Sequence, residues 1–423
     1  MSVLRCFSFS RGALWCVTRP HLQECTPTSR RLLSAMTQVV PPILSVTPSR
    51  ALVDEKFKVL VENLPPGCPV TVRSLHHSED KDDWEAYGHY VSDHSGVVSV
   101  SEDLSYGGTY TGKEPMGLLW SMRPVPGSRP GLRLRKMNVC TPMLVTISVH
   151  SGHEGFRDQA PLASVLTERW YMAPGIRRIN INEQGVQGTL FIPPGPGPFP
   201  GLLDMWGGGG GLLESRAALL ASHGYVSLAL DYLGFDQESE NLEFKYFEPC
   251  CIVCISCNHY YPARGSTVTS KFEGVTRQLS KARVNEDNQV IWKDVALEFI
   301  TDPSNIAEVG RINCPTLLVN GCDDQNWPTV ETAEDVARLM REAGKEHLLS
   351  RLAYPDTGHL IEPPFSPHFR ATTFVMRSSK EKVILLWGGQ TKPHSDAQED
   401  SWRKILSFLQ FHLYCGPNLK AKI

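Results

Sequence analysis

The sequence predicts an α/β C-terminal half that follows an all-β half built as a sandwich. The α/β prediction rests on the stretch from Pro200 to Tyr232, where two apolar runs flank five consecutive glycines and a helical period. The all-β prediction rests on short alternating runs between Ile43 and about Ile181, separated by turn-forming residues. A length of 423 residues agrees with two domains.

The composition restricts the class of protein. Hydrophobic residues make up 41% of the chain and charged residues 21%, which is typical of a globular protein. The formal net charge of −3 argues against a nucleic-acid partner, because nucleic acids bind to positively charged protein surfaces. No apolar run reaches about 18 residues, so the sequence predicts no membrane-spanning helix. The twelve cysteines form no regular framework and fit reduced thiols in an intracellular compartment.

Residues 1–38 have the composition of a mitochondrial transit peptide. Five arginines and no lysine accompany a single acidic residue, Glu24, and serines are frequent. The segment from Arg30 to Ser34 is a reasonable processing region, so we expect delivery to the mitochondrial matrix. An irregular start of the chain without a targeting function is the alternative.

The all-β half is expected to span residues 43–181. Its predicted strands begin at six alternating or β-rich runs, at Phe57, Val70, Trp84, Gly96, Met143 and Ala163. His76 and His77 lie among charged residues, which predicts a solvated loop. A metal site would need further ligands at suitable spacing.

The glycine loop of the α/β half consists of Gly207, Gly208, Gly209, Gly210 and Gly211. In a strand–loop–helix–strand unit this loop lies at the carboxyl edge of a parallel sheet, where open α/β sheets bind ligands. Its backbone N–H groups are therefore candidates to hold an oxyanion. The alternative is a linker-like turn.

A second apolar run, Cys314 to Asn320, ends in the acidic pair Asp323 and Asp324. A helical period from Val330 to Ala343 follows, and His359 then lies on a loop beyond a short apolar run. An acid after one strand and a histidine one βα unit later is the order of the last two members of an α/β-hydrolase triad.

These residues and several longer motifs resemble those of the type I acyl-CoA thioesterases and the bile acid-CoA:amino acid N-acyltransferases. The resemblance runs from Leu44 to Tyr414. Its motifs are Glu168–Tyr171, Gly188–Phe191, the glycine loop with Leu212–Glu214, Asp323–Trp327, Gly358–Pro364 and Trp387–Gly389.

The resemblance implies an α/β-hydrolase domain, residues 182–423, preceded by an immunoglobulin-like β-sandwich, residues 43–181. It also implies that Asp324 is the triad acid, that His359 is the base, and that the glycine loop contributes to an oxyanion hole. Asp323 is the alternative acid, and its expected role is otherwise to shape the turn or the surroundings of the histidine.

The chain departs from the family at the nucleophile. A hydrolase of this kind needs Gly-x-Ser-x-Gly or its cysteine equivalent, and neither motif occurs in the sequence. Glu248 is followed directly by Pro249 and by a strand that resembles the one beyond the family's nucleophile helix. A segment of at least ~30 residues is therefore absent near 248–249. Because the missing strand would be central, we expect an incomplete sheet in which the strand Ile252–Ser256 shifts toward the vacated position.

The cysteines that follow are an alternative source of chemistry. Cys251, Cys254 and Cys257 approach an iron–sulfur cluster motif, with Tyr261 where a fourth cysteine would lie. Strand residues three apart face opposite sides, so we expect these thiols to diverge and to hold no metal. Ser256 and Cys257 are candidate substitute nucleophiles, but neither is followed by the glycine and helix that expose a nucleophile.

The implied reaction is hydrolysis of fatty acyl-CoA to a fatty acid and CoA, with acyl-CoA as the small-molecule partner and with no cofactor. Without a nucleophile, the chain as written is predicted to hydrolyse acyl-CoA negligibly. The alternatives are an N-acyltransferase that conjugates glycine or taurine, and a non-catalytic acyl-CoA-binding protein. The mitochondrial type of N-terminus favours the thioesterase.

Overall fold

The structure is a computed structural model that describes residues 40–183, 186–207, 211–231, 249–260, 281–300, 303–375 and 380–415. The predicted transit peptide, residues 1–38, lies outside the described residues, as do Gly208, Gly209 and Gly210. Across the described ranges, no helix combines the length and apolar character needed to cross a membrane.

Two β-sheets form the first half of the described chain. The strands are β1 (Ile43–Thr47), β2 (Arg50–Leu52), β3 (Lys58–Glu62), β4 (Pro69–His77), β5 (Asp83–Val91), β6 (Val98–Ser99), β7 (Arg123–Pro124), β8 (Met143–Ser151) and β9 (Ala163–Trp170), with the short helix α1 (Gly117–Trp120) before β7. One sheet has the order β2-β9-β8-β4-β5-β7 and the other the order β1-β3-β6. Each of the six predicted runs overlaps one of these strands, which confirms that these runs form strands.

The two sheets share one hydrophobic core. Side chains of β3 alternate between buried and partly exposed, because successive residues of a strand face opposite sides of the sheet. Val59 and Val61 of β3 pack in the same cluster as Val72 of β4 and Ile147 of β8. The first half is therefore organised as two layers around buried aliphatic side chains.

The second half alternates strands and helices. Its elements are β10 (Arg177–Glu183), β11 (Val186–Ile192), β12 (Gly201–Met205), α2 (Ser215–Ser222), β13 (Val226–Leu230), β14 (Ile252–Ile255), β15 (Arg283–Val284), β16 (Val290–Ile291), α3 (Lys293–Ile300), β17 (Thr316–Gly321), α4 (Thr329–Glu342), β18 (Leu349–Tyr354), β19 (Ala371–Val375), β20 (Lys382–Leu386) and α5 (Thr391–Tyr414). Strand β12 pairs in parallel with β13, as predicted for the strand–loop–helix–strand unit. The chain is thus of mixed α/β class.

The described strands of the second half form three sheets. Their orders are β10-β11-β13-β12, β14-β17-β18 and β15-β16-β20-β19, and each sheet contains a parallel pair. No described strand pairs with the second edge of β12 or with the second edge of β14. All four residues of β14 are only partly buried, whereas every residue of β17 is buried. A central parallel strand is normally covered on both faces, so β12 and β14 have the exposure of edge strands.

The structure corrects the prediction for the histidine pair of the first half. His76 and His77 are the last residues of β4 and do not form a loop. His76 is buried, and its Nδ1 lies 2.9 Å from the carbonyl oxygen of Leu144 on β8. Burial lowers the pKa of His76 below its ordinary value. The prediction was wrong because the charged residues near the pair, Glu79 to Asp82, follow β4 and are not part of it.

Candidate active site

Asp324 lies just beyond β17 and is almost completely buried, with 1% exposure. Its Oδ1 accepts hydrogen bonds from the backbone N–H groups of Asn326 and Trp327, both at 2.8 Å. These contacts fix the carboxylate at the first turn after the strand. The second oxygen, Oδ2, is left to face the neighbouring loop.

His359 occupies that neighbouring loop, beyond β18. Its Nδ1 lies 2.7 Å from Oδ2 of Asp324, so the side-chain contact predicted from the sequence is present. The imidazole stacks on the Trp387 ring, with centroids 5.6 Å apart and an interplanar angle of 18°. Donation from Nδ1–H to Asp324 selects the tautomer in which Nε2 is free to accept a proton.

His394 of α5 holds the histidine loop on both sides of His359. The backbone N–H of Gly358 donates to its Nδ1 at 3.1 Å, and its Nε2–H donates to the carbonyl of Leu360 at 2.8 Å. Burial lowers the pKa of His394 to about 3, and the nearby His368 adds to this shift. The neutral ring therefore serves as both acceptor and donor. This role was not predicted, because His394 lies in a helix with no recognisable motif.

Asp323 shapes the same region without contacting the imidazole. Its Oδ2 accepts a hydrogen bond from the backbone N–H of Gly389, and its Oδ1 accepts one from Gln325. Its backbone carbonyl packs closely on Gly388, which has a φ of 82°. Asp323 thus joins the turn after β17 to the glycine pair after β20.

No serine or cysteine side chain among the described residues hydrogen-bonds Nε2 of His359. One of the two substitute nucleophiles considered from the sequence, Ser256, follows β14 directly and is buried. Its hydroxyl donates to the backbone carbonyl of His359 at 2.7 Å and is therefore engaged with the main chain of the loop. Ser256 has a positive φ of 47°, which is unusual for a residue other than glycine.

Only the two ends of the glycine loop are described. Gly207 follows β12, and Gly211 precedes α2 with a φ of 88°, a conformation that favours glycine. The proposed anion-binding role of Gly208, Gly209 and Gly210 falls outside the described residues.

The cysteine cluster behaves partly as predicted. Cys251 packs in a cluster with Leu219 and Val319, whereas Cys254 packs in a different cluster with Leu318 and Val336, so these two side chains diverge. The expectation was wrong for Cys257, whose side chain packs against the same apolar cluster as Cys254. The positive φ of Ser256 ends the regular alternation and returns Cys257 to the face occupied by Cys254. No group of three or more potential metal ligands occurs in the part of the chain that the structure describes.

A cleft lies beside the histidine loop. It is lined by side chains from both halves of the chain, including Arg133, Arg135, Lys136, Tyr171, Trp206 and Glu362. Arg133 forms an ion pair with Glu362, three residues beyond His359. Burial lowers the pKa of Arg135, and the positive charge of Arg133 lowers it further. An anionic ligand in the cleft would offset this repulsion.

The arrangement can perform general base catalysis. The buried carboxylate of Asp324 accepts a hydrogen bond from Nδ1–H of His359. It therefore stabilises the imidazolium that forms when Nε2 takes up a proton. Asp324, His359 and Trp387 come from the loops after β17, β18 and β20, and His394 comes from α5. No group that Nε2 would deprotonate contacts it within the described chain.

Comparison with known proteins identifies similar sequences over both halves. Residues 54–183 match the N-terminal region of the acyl-CoA thioester hydrolase/BAAT family, and residues 240–415 match its C-terminal region. Acyl-coenzyme A thioesterase 1 of Mus musculus is 33% identical, over 88% of this chain and 97% of the relative. The peroxisomal succinyl-coenzyme A thioesterase of Mus musculus is 34% identical, over 88% and 96%. The mitochondrial acyl-coenzyme A thioesterase 2 of Mus musculus is 32% identical, over 88% and 89%.

The coverage of the first of these relatives shows that it contains residues that this chain lacks. The alignment extends over 416 positions, but 88% of the 423 residues is only about 372 residues. About 44 aligned positions therefore pair a residue of the relative with a gap in this chain. A deletion of that total size is large enough to include a strand and a helix.

Proposed function

Because the chain belongs to the acyl-CoA thioester hydrolase/BAAT family, we propose that it binds fatty acyl-CoA but hydrolyses it negligibly. One observation carries the proposal. The pair of Asp324 and His359 is assembled at 2.7 Å, while no serine or cysteine of the described chain contacts Nε2 of His359. A general base without a nucleophile to deprotonate cannot form an acyl-enzyme.

The missing step can be named from the family reaction. A nucleophile would attack the thioester carbonyl, Nε2 of His359 would take its proton, and Asp324 would stabilise the resulting imidazolium. The negative charge on the carbonyl oxygen would be held by backbone N–H groups, for which Gly207–Gly211 is our candidate loop. Without the nucleophile, the remaining groups supply only residual catalysis, a loss on the order of 10⁴ or more in rate.

The cleft supplies the features that acyl-CoA requires. Arg135 offers positive charge for a phosphate group, and Tyr171 and Trp206 offer apolar surface for an acyl chain. Arg133 and Lys136 are paired with Glu362 and Glu79. Burial and the charge of Arg133 lower the pKa of Arg135, so a phosphate would stabilise its charged form. We therefore assign substrate binding to this cleft.

The domain organisation that accompanies this function is an immunoglobulin-like β-sandwich, residues 43–181, followed by an α/β-hydrolase domain, residues 182–423. The two-layer packing of the first half supports the sandwich. The parallel pairing of β12 with β13 and of β14 with β17 supports the hydrolase domain, with the deletion near 248–249.

Two alternatives follow from the same site. An N-acyltransferase would pass the acyl group to glycine or taurine, and a purely acyl-CoA-binding protein would perform no chemistry. The names of the similar proteins favour the thioesterase over the transferase.

The test measures binding and turnover separately. We expect purified 423-residue protein to bind a non-hydrolysable acyl-CoA analogue in calorimetry and to release no free CoA thiol from acyl-CoA above the uncatalysed rate. Insertion of the nucleophile segment of a thioesterase relative after Glu248 should restore thiol release. A Gly/Ser insert of equal length should not restore it, and His359→Ala in the restored chain should abolish it.

Two outcomes would overturn the proposal. The first is turnover of acyl-CoA by the unmodified chain at an ordinary enzymatic rate, and loss of that rate in Ser256→Ala or Cys257→Ala would identify the substitute nucleophile. The second is a folded protein that fails to bind the analogue, which would remove the substrate assignment.

We also propose delivery to the mitochondrial matrix by residues 1–38. The support is their Arg-rich, acid-poor composition, together with the mitochondrial location in the name of one similar protein. A fusion of these residues to a fluorescent reporter should be imported into mitochondria, and replacement of the five arginines by glutamine should abolish import. Reporter that stays in the cytosol would contradict the proposal.

A further inference from the structure

Two cysteine side chains lie on the same side of the chain at the end of β14. Cys254 is part of β14, and Cys257 lies two residues beyond its last residue. Both are free and partly buried. Both pack against one apolar cluster built from Leu318 of β17 and Ala333, Val336 and Met340 of α4.

The main chain brings these thiols to one side. In a regular strand, residues three apart would face opposite sides of the sheet. Ser256 interrupts the regular strand with its positive φ of 47°. Its backbone N–H donates to the carbonyl of Val319 at 2.8 Å, and its hydroxyl donates to the carbonyl of His359 at 2.7 Å. These two hydrogen bonds hold the turn that places Cys257 against the same apolar cluster as Cys254.

The two thiols differ in acidity. Interaction with Cys257 lowers the pKa of the Cys254 thiol, against the opposing effect of burial. Interaction with Cys254, together with burial, raises the pKa of the Cys257 thiol well above its ordinary value. Cys254 is therefore the thiol with more thiolate character, and thiolates are the nucleophiles of disulfide exchange.

We propose that Cys254 and Cys257 are a redox-active dithiol that closes to a reversible intramolecular disulfide. The oxidant is a low-molecular-weight disulfide. The thiolate of Cys254 attacks one sulfur of the oxidant, breaks its S–S bond and releases one thiolate. Cys257 then loses its proton and attacks the Cys254 sulfur of the mixed disulfide, which releases the second thiolate. The protein loses two hydrogens overall, and the oxidant is reduced to two thiols.

The neighbouring cysteines do not share this arrangement. Cys251 lies on the other face of β14, and burial raises its pKa to about 11. Cys314 is buried, and its pKa is also raised, chiefly by burial. Closure of the disulfide would enclose Ser256 in the ring. Because Ser256 holds the carbonyl of His359, the oxidation state of the dithiol is coupled to the histidine loop.

The experiment uses the full chain in its reduced state, incubated with mixtures of reduced and oxidised glutathione. After alkylation of free thiols and proteolysis, mass spectrometry should show one internal disulfide that joins Cys254 to Cys257 and that reopens in reduced glutathione. Cys251→Ser is the matched control, since it removes a neighbouring cysteine whose side chain lies in a different apolar cluster. We expect the disulfide to form in this variant as in the parent chain.

The single variants test the order of attack. Cys257→Ser should accumulate glutathione on Cys254, because no thiol remains to resolve the mixed disulfide. Cys254→Ser should react at Cys257 at least 10-fold more slowly than the parent chain reacts at Cys254, because burial raises the pKa of the Cys257 thiol and keeps it protonated. Pairing of Cys254 with Cys251 or Cys314 in the folded protein would overturn the proposal. The proposal would also be overturned if both thiols of the folded protein were still fully alkylated after treatment with oxidised glutathione. The treatment would be one that oxidises the urea-unfolded chain.

Discussion

At the scale of single residues, the loop that carries His359 depends on a second histidine. His394 accepts a hydrogen bond from Gly358 N–H and donates one to the carbonyl of Leu360, so it contacts the residue on each side of His359. Both contacts require a neutral ring. Burial favours that form by lowering the pKa to about 3.

This pKa predicts a dependence of stability on pH. The unfolded chain takes up a proton at His394 as the pH falls below the ordinary value of 6.5, whereas the folded chain stays neutral until about pH 3. The contribution to stability is therefore complete above 6.5 and declines as the pH falls toward 3. Between about pH 7 and about pH 5, the parent chain should lose about 2 kcal/mol more than His394→Gln in free energy of unfolding.

Urea unfolding at a series of pH values measures this difference. Glutamine can accept and donate hydrogen bonds but does not titrate, so it isolates protonation from the loss of contacts. His368, whose pKa is also lowered by burial, is present in both chains and cancels in the comparison. Parallel pH profiles for the two proteins would refute the assignment.

At the scale of elements, glycines allow the loops after β17, β18 and β20 to pack backbone against backbone. A Cβ on Gly358 would lie 2.4 Å from the carbonyl oxygen of Gly388, and a Cβ on Gly388 would lie 1.9 Å from that of Asp323. Only glycine permits this approach, because the neighbouring atoms belong to main chains that cannot move aside.

The packing predicts a large cost for Gly388→Ala. The variant combines the strain of a φ of 82° with a backbone collision, whereas Gly344→Ala has a φ of 71° and no atom within 4 Å of its Cβ. We expect Gly344→Ala to cost about 1 kcal/mol and Gly388→Ala at least about 2 kcal/mol more, measured by urea unfolding. Equal costs for the two variants would show that the loops separate easily.

At the scale of the whole molecule, one core joins the first half of the chain to the candidate active site. Trp84 of β5 contacts Phe369 edge to face at 5.8 Å, and both belong to the cluster that includes Leu360 and Trp387. The ion pair between Arg133 and Glu362 lies beside this contact. The histidine loop therefore rests on the β-sheets of the first half, and its position depends on both halves.

The sequence predicted the repeated local patterns well. Strand periods, the parallel pairing of β12 and β13, and the helix that ends before Gly344 follow from hydrophobic spacing and turn chemistry, which are local properties. It also predicted the contact of Asp324 with His359, because loops after adjacent parallel strands meet at one edge of a sheet. It failed for His76, whose burial in β4 depends on strand pairing far along the chain.

The sequence by itself determined the fold class, the family, the acid and base candidates and the absence of a nucleophile motif, because each of these is written in residue order and spacing. Only the tertiary structure decided that β12 and β14 remain unpaired with each other among the described strands, that His394 hydrogen-bonds the residues on both sides of His359, and that Cys257 packs against the same cluster as Cys254. The last two depend on contacts between distant segments or on one unusual backbone angle. Hydrophobic periodicity reports which face of an element is buried, but it does not specify which side chains meet there.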